Sequence, residues 1–305
     1  MIELATGIKY LATVGMPPTT AVYLISDDKE QQSCLIEPGP NSASESVLRH
    51  VREAEGNEAK VSKIIATHIH LDHAGGSRAL LENFPGSRLQ IYRGAAKHLI
   101  DTSQLAQSAK QVLGPLFDIW GGIPSVPADR IDEVNENDII SVGSFRLRVV
   151  YTPGHAPYHM SLFEENSRIL HTGDAVGMYV KNRRTLWPAS PLPTFRYDME
   201  IQSLQKIRAL GAKALMIPHY GPIDNVSEFL EMNMNIYEAW HNVLSALDDS
   251  YDVEAAARKL VQSIDSYSWI PAEPQFWFTL KMHVAGFLEY ERRQKQAESR
   301  KEGLR

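Results

Sequence analysis

Apolar positions along the chain fall into short β-rich runs that alternate with segments of helical spacing. AVYLIS (Ala21 to Ser26) and SCLIEPG (Ser33 to Gly39) flank the polar stretch DDKEQQ and predict two strands of a hairpin. ASESVLRHVREAE follows with Val47, Leu48 and Val51 at helical spacing, and VSKIIAT predicts the next strand. A helix through Arg78, Leu80, Leu81 and Phe84 is stopped by Pro85-Gly86, after which RLQIYR is a further strand. The pattern from Gly94 to Phe117 is mostly helical, and GGIPSVPAD is a loop. In IDEVNENDIISVGSFRLRVVYTPGH, β-branched runs are broken by turn dipeptides, which predicts a meander of strands continued by HMSLFEE and RILHTGD. A helix is predicted from Asp198, its N-cap, to Leu210, and ALMIPHYG is one more strand.

Beyond Asp224 the pattern is helical, in three segments near Val226 to Leu247, Val253 to Ile264 and Glu273 to Glu298. An α/β domain over residues 1–224 followed by a helical extension over 225–305 is the expected organisation. Within EPQFWFTLKMHVAGFLEY, Phe276, Leu280, Val284, Phe287 and Leu288 form an apolar stripe that needs burial. Packing on neighbouring helices is the first expectation for that stripe, with a homodimer interface or a pocket lid as alternatives.

Composition narrows the function. At 305 residues with 43% hydrophobic content the chain can bury a large core. A formal net charge of −6 argues against a nucleic-acid or anionic-membrane partner, because both need a basic face. The N-terminal segment has no charged region followed by a continuous apolar one, and no stretch approaches about eighteen apolar residues, so a cytoplasmic protein is expected. Cys34 is the only cysteine, which excludes an intramolecular disulfide and a thiolate metal cluster; in its apolar run it reads as a small buried hydrophobe.

Candidate chemistry concentrates at strand ends. THIHLDHAGG (Thr67 to Gly76) puts His68, His70, Asp72 and His73 directly after the apolar run VSKIIA. In His68-x-His70 the two imidazoles can face one side while Ile69 packs inward. Imidazole and carboxylate suit zinc, iron and manganese alike, and so many polar groups are costly in a core unless a partner satisfies them together. His155 in TPGHAPYH, Asp174 in LHTGD and His219 in MIPHYG repeat the pattern, each following an apolar run beside a glycine or proline. Seven ligand-type side chains result, a set that two metals would use well.

THIHLDHAGG, TPGHAPYH, TGDA and IPHYG, in this order, resemble the metallo-β-lactamase superfamily, in particular its glyoxalase II and lactonase-like hydrolases. The match covers roughly Thr20 to Gly221, and the helical tail resembles the family only loosely. The resemblance implies an αββα sandwich of two mixed sheets with helices outside. It implies that His68, His70 and His155 hold one metal, that Asp72, His73 and His219 hold the other, and that Asp174 bridges them. The cofactors implied are two divalent metal ions, zinc first, with iron or manganese as alternatives. LIEPG departs from the family pattern: Glu37 stands where the family has aspartate, so its hydrogen bonding must be rearranged. Asp174 occupies the position of the cysteine ligand of one β-lactamase class, and His70 the position that is glutamate in the oxygen-reducing di-iron relatives, so both branches are disfavoured.

The implied chemistry is hydrolysis of an ester, lactone or thioester. Water held between two dications is acidified towards hydroxide at neutral pH, one metal polarises the carbonyl, and Asp72 is the catalytic residue that shuttles the proton. A mononuclear iron dioxygenase or a non-hydrolytic metal-binding sensor of the same fold is the alternative. His159, Tyr179, Arg183 and Trp187 are candidates for binding a small acyl substrate, with Lys181 and Arg184 completing the basic run KNRR and Phe195 and Tyr197 adding apolar wall. His50, His98, His171, His241 and His283 lie outside any ligand spacing and read as structural or surface residues.

Overall fold

The computed structural model describes residues 2–5, 7–14, 20–56, 60–219, 221–248 and 250–302. They fall into two compact units, one of Met1–Tyr151, Tyr158–Gly173 and Gly211–Val226, the other of Thr152–Pro157, Asp174–Leu210 and Ser227–Arg305. Residues 249 and 303–305 of the expected extension lie outside the described residues.

The first unit carries two sheets. The first has seven strands in chain order: β1 (Ile2–Ala5), β2 (Ile8–Val14), β3 (Thr20–Asp27), β4 (Gln32–Ile36), β5 (Val61–Ile65), β6 (Arg88–Tyr92) and β7 (Ile131–Val134). β1 to β4 pair antiparallel, and β4 to β7 pair parallel. A parallel neighbour requires a crossover, and helices supply each one. α1 (Ser44–Glu55) lies between β4 and β5, α2 (Leu71–Ala74) and α3 (Ser77–Asn83) between β5 and β6, and α4 (Ala96–Ile100), α5 (Ser103–Leu113) and α6 (Leu116–Ile119) between β6 and β7. The second sheet runs β8 (Ile139–Val142), β9 (Phe145–Tyr151), β10 (Met160–Glu164) and β11 (Ile169–His171) antiparallel, and the strand Ala214–Met216 joins β11 in parallel.

Alternation along β3 and β4 explains why both faces of the first sheet are apolar. Ala21, Tyr23, Ile25, Cys34 and Ile36 enter a cluster with Val142, Leu147, Val149 and Leu162 of the second sheet. Val22, Leu24 and Leu35, one position out of phase, enter another with Val47 and Val51 of α1 and Leu80 of α3. Each such fully buried aliphatic side chain contributes roughly 1.5–3 kcal/mol relative to exposure. Cys34 is the small hydrophobe expected, and burial pushes its thiol up to about 12. Asp27 ties the end of β3 to the turn between β8 and β9: its Oδ2 accepts from the Ser144 amide at 2.7 Å and hydroxyl at 2.6 Å. Those bonds hold its carboxyl down to about 2.

The second unit contains the short hairpin β12 (Met178–Val180) and β13 (Thr185–Trp187), and α7 (Tyr197–Leu210), α8 (Val226–Ser245, apart from its first residue), α9 (Val253–Ser263) and α10 (Pro274–Glu302). Most of the α10 stripe is buried within this unit: Leu280, Val284 and Phe287 are inaccessible, Leu288 is buried and Phe276 half-buried, and the Phe287 ring meets Phe195, Tyr197, Trp240 and Tyr290. Among the described residues no helix is long and apolar enough to cross a membrane.

Three features differ from the pattern-based reading. β1 and β2 extend the first sheet at its antiparallel edge. The expected meander is divided, β7 closing the first sheet and β8 opening the second. α7 begins at Tyr197, so Asp198 lies in the first turn rather than at the cap, and its carboxylate pairs with Arg196 at 2.8 Å.

Candidate metal centre

β5 ends at Ile65, and its parallel pairing with β4 and β6 places the residues that follow at the carboxyl edge of the sheet, where loops converge. His68 and His70 lie on that loop, and Asp72 and His73 on the single turn of α2, which is closed by the Ala74 amide bonding the His70 carbonyl at 2.8 Å. His68 Nε2 is 2.9 Å from His70 Nδ1, and the two rings meet edge to face. Ile69 points the other way, against the helix-side core, which is the alternation expected of His68-x-His70.

His219 reaches the same region from the strand Ala214–Met216. The loop that carries it is anchored to β3: the Ala21 amide donates to the Pro218 carbonyl at 2.6 Å and the Tyr23 hydroxyl to the Ile217 carbonyl at 2.7 Å. Asp72 Oδ2 lies 3.5 Å from His73 Nε2 and 3.7 Å from His219 Nε2. One ligand atom from each of these three residues falls within 4.8 Å of the others, a separation that suits one cation. His68 joins them through its ring, centred 4.1 Å from that of His73.

Supporting residues fix the protons. Glu37 is buried with φ of 62°, a backbone region non-glycine residues rarely adopt. Its Oε1 accepts the Thr67 hydroxyl at 2.6 Å, and its Oε2 is 3.2 Å from His73 Nδ1. A proton on His73 Nδ1 would point at this acceptor and leave the Nε2 lone pair facing Asp72. The longer side chain that departs from the family pattern thus spans Thr67 and His73 together. His159 is buried, with its ring centred 5.1 Å from that of His68. It lies against Gly173 of TGD, where φ is 53° and an added Cβ would come within 2.4 Å of the His159 Nε2. The glycine that precedes Asp174 therefore makes room for this imidazole.

In the second unit His155 and Asp174 meet, Nε2 to Oδ2, at 3.3 Å. His155 Nδ1 is 2.8 Å from the Ala189 carbonyl, an acceptor only, so this ring carries its proton on Nδ1 and presents the Nε2 lone pair. The loop Thr152–Pro157 rests on α7. Arg196 N–H donates to the Gly154 carbonyl at 2.8 Å, Ser203 Oγ to the Pro153 carbonyl at 2.6 Å, and His155 N–H to Glu200 Oε2 at 2.7 Å. Burial pushes the Glu200 carboxyl up to about 8, against the opposing pull of the Tyr237 hydroxyl and the His155 amide.

Tyr179, Arg183 and Trp187 also lie in the second unit. Tyr179 on β12 meets Phe229 edge to face. Arg183 lies over the Trp269 ring and 3.9 Å from Glu273, and Arg184 pairs with Glu228 at 3.3 Å, so the KNRR run meets carboxylates of its own unit. Trp187 is inaccessible and packs on Phe276. Glu200 and Tyr237 were not singled out from sequence, although the pattern of α7 held a signal. Glu200 shares the buried face of that helix with Ser203, Leu204 and Ile207 at i+3, i+4 and i+7, an unusual place for a carboxylate.

The family model for the metallo-β-lactamase superfamily matches residues 16–219. A metallo-β-lactamase fold-containing protein of Sulfurisphaera tokodaii is 33% identical over 166 residues, 53% of this chain and 61% of that relative, so the alignment spans about three fifths of the relative's length. A hydroxyacylglutathione hydrolase of Haemophilus influenzae is 26% identical over 208 residues, 67% of this chain and 87% of the relative. The crystal structure of a metallo-β-lactamase family protein from Thermus thermophilus superposes with a TM-score of 0.69 at 22% identity, over 96% of this chain and 95% of that one, a likeness of fold. With the family model spanning most of its length and its α/β architecture shared by that structure, the chain belongs to the metallo-β-lactamase superfamily.

Proposed function

We propose that the chain is a hydrolase that cleaves an ester, lactone or thioester, with two divalent metals, zinc foremost, held by His68, His70, Asp72, His73, His155, Asp174 and His219. The observation that carries this reading is the donor set itself. Asp72, His73 and His219 converge within one unit, and His155 meets Asp174 within the other. The Ala189 carbonyl holds the His155 proton on Nδ1 and Glu37 favours the same tautomer of His73, so that Nε2 lone pairs face the acidic partners. Buried imidazoles and carboxylates of this kind are the chemistry a borderline dication needs.

Metals bound there would acidify water and polarise a substrate carbonyl. The chain's residues do the rest. Asp72 turns Oδ2 towards the two imidazole Nε2 atoms, which leaves Oδ1 to take the proton released by the attacking water and return it to the departing alkoxide or thiolate. Thr67, itself held by Glu37, keeps the His68 ring from rotating, and Glu37 Oε2 lies 3.2 Å from His73 Nδ1, so the ligand geometry is set before substrate arrives. The hydroxyacylglutathione hydrolase among the relatives supports a thioester or related acyl substrate.

Metal analysis of the purified chain with a hydrolysis assay on thioesters and lactones tests this. Close to two equivalents and acyl hydrolysis are expected, and Asp174→Ala should lose the second equivalent and most of the rate. A variant that kept both metals and full activity would rule the bridge out. Oxygen uptake with a thiol substrate, without hydrolysis, would shift the assignment to the iron dioxygenase alternative.

A further inference from the structure

Four groups in the second unit close a ring of hydrogen bonds around His155. The His155 ring donates from Nδ1 to the Ala189 carbonyl at 2.8 Å, and the Ala189 amide donates to the Tyr237 hydroxyl oxygen at 3.3 Å. The Tyr237 hydroxyl donates to Glu200 Oε1 at 3.1 Å, and Glu200 Oε2 accepts the His155 amide at 2.7 Å. The ring therefore returns to the residue where it began, holding His155 by its backbone and its imidazole at once. Glu200 and Tyr237 are both inaccessible to solvent.

We propose that Glu200 on α7 and Tyr237 on α8 are positioning residues that set the rotation of the His155 imidazole for metal binding, through the ring His155–Ala189–Tyr237–Glu200. This rests on the ligand role assigned to His155 above. The His155 side chain can rotate only if its Nδ1–H leaves the Ala189 carbonyl; that carbonyl shares a peptide plane with the Ser190 amide, which donates to His283 Nδ1 at 3.0 Å, while Tyr237 holds the Ala189 amide in the plane before it. Loss of the Tyr237 hydroxyl strands the buried Ala189 amide and one oxygen of the Glu200 carboxyl, and rotation about the bonds of the Ala189 Cα as that amide relaxes displaces the carbonyl that orients the imidazole. Packing enforces the same geometry from the backbone. Gly154 has φ of 145°, and a Cβ there would lie 2.1 Å from Glu200 Oε2 and 2.5 Å from Glu200 Cα, so only glycine lets the ligand loop close on the carboxylate.

Tyr237 lies beyond residue 219, where the match to the family model ends. The C-terminal helical region is thereby part of what shapes the metal centre of this chain, in addition to burying its own apolar faces.

The test compares full-length Tyr237→Phe, Glu200→Gln and the double variant with wild type. Affinity for zinc is measured by competition with a chromophoric chelator, the visible spectrum is taken after cobalt loading, and stability is read from thermal melts of the metal-free proteins. Trp240→Phe serves as the control, since it removes another buried hydrogen bond of α8, to Tyr267 at 2.9 Å, outside the ring. Each ring variant should weaken one metal equivalent about 10- to 100-fold and change the cobalt spectrum, as loss of an outer partner of a ligating histidine does. The double variant should be no weaker than the worse single, because both break one ring. Trp240→Phe should lower the melting temperature and leave the affinities alone. Unchanged affinity in both single variants overturns the proposal, as does equal weakening in Trp240→Phe or additivity in the double. If Tyr237→Phe does not fold, Glu200→Gln decides. A wild-type chain that binds metal yet hydrolyses no acyl substrate rejects the hydrolase reading and leaves these affinities to decide the ring; one that takes up no metal rejects both.

Discussion

His155 carries its proton on Nδ1 because it faces a peptide carbonyl, an oxygen that can only accept, and Glu37 Oε2, 3.2 Å from His73 Nδ1, favours the same tautomer there. His171 lies outside both sets, buried, with its ring edge-to-face against Tyr23. Desolvation holds it down to about 3, far below the ordinary value near 6.5. The folded state therefore keeps His171 neutral while the unfolded chain takes up a proton below about pH 6.5, so its contribution is intact above that pH and is lost as pH falls towards 3. At pH 5 the loss is about 2 kcal/mol, from roughly one and a half units at 1.36 kcal/mol each. Urea unfolding of metal-free protein between pH 7.5 and 5 should show a shallower loss of stability in His171→Leu than in wild type; parallel curves would remove this residue from the acid response. Gly154→Ala is the second change argued at this scale. Its Cβ has no space beside Glu200, so it should destabilise the protein and weaken a metal equivalent, whereas a variant with wild-type melting and metal content would contradict the close contact.

At the scale of elements, legibility followed length and periodicity. α1, α8, α9 and α10 were visible because apolar residues recur over several turns, and β3, β4, β5 and β6 because their runs are bounded by polar turns or helices. β12 and β13 are three residues each, too short to display a period, and no strand is predicted between RILHTGD and the helix that starts near Asp198. β7 and β8 read as neighbours because only Asn135 to Asp138 separates them, and sequence alone does not tell which sheet a strand joins. The candidate ligands were legible because each follows an apolar run at a strand end. Glu200 and Tyr237 were not, since their partners lie 45 and 48 residues away and a ring of hydrogen bonds leaves no local periodicity. Phe287 belongs to this scale, with four aromatic rings around it. Phe287→Ala should cost about 3–5 kcal/mol, as truncation of a fully buried aromatic does, read as a lower urea midpoint. A loss below about 1 kcal/mol would mean that α10 is only loosely held.

For the whole molecule, the formal net charge of −6 bears on which substrates the proposed hydrolase would take. A nucleic acid needs a basic surface to displace its counterions, and of two equally dense basic runs, Lys181 to Arg184 has Arg183 paired with Glu273 and Arg184 with Glu228, and Arg292 to Lys295 has Arg293 paired with Glu289. An uncharged acyl compound meets no such barrier and a singly anionic one far less of it than a polyanion, and hydrolysis of an ester or thioester needs no more than a carbonyl and a leaving group. The order of kcat/KM on metal-loaded enzyme should therefore place thioesters, esters and lactones first, with β-lactams and RNA well behind. Raising the salt concentration should leave acyl hydrolysis nearly unchanged, since no long-range attraction carries a neutral substrate in. Faster cleavage of a phosphodiester than of every acyl substrate, with a rate that falls steeply as salt is added, would show that a basic surface outweighs the net charge and would reassign the centre to phosphoryl chemistry.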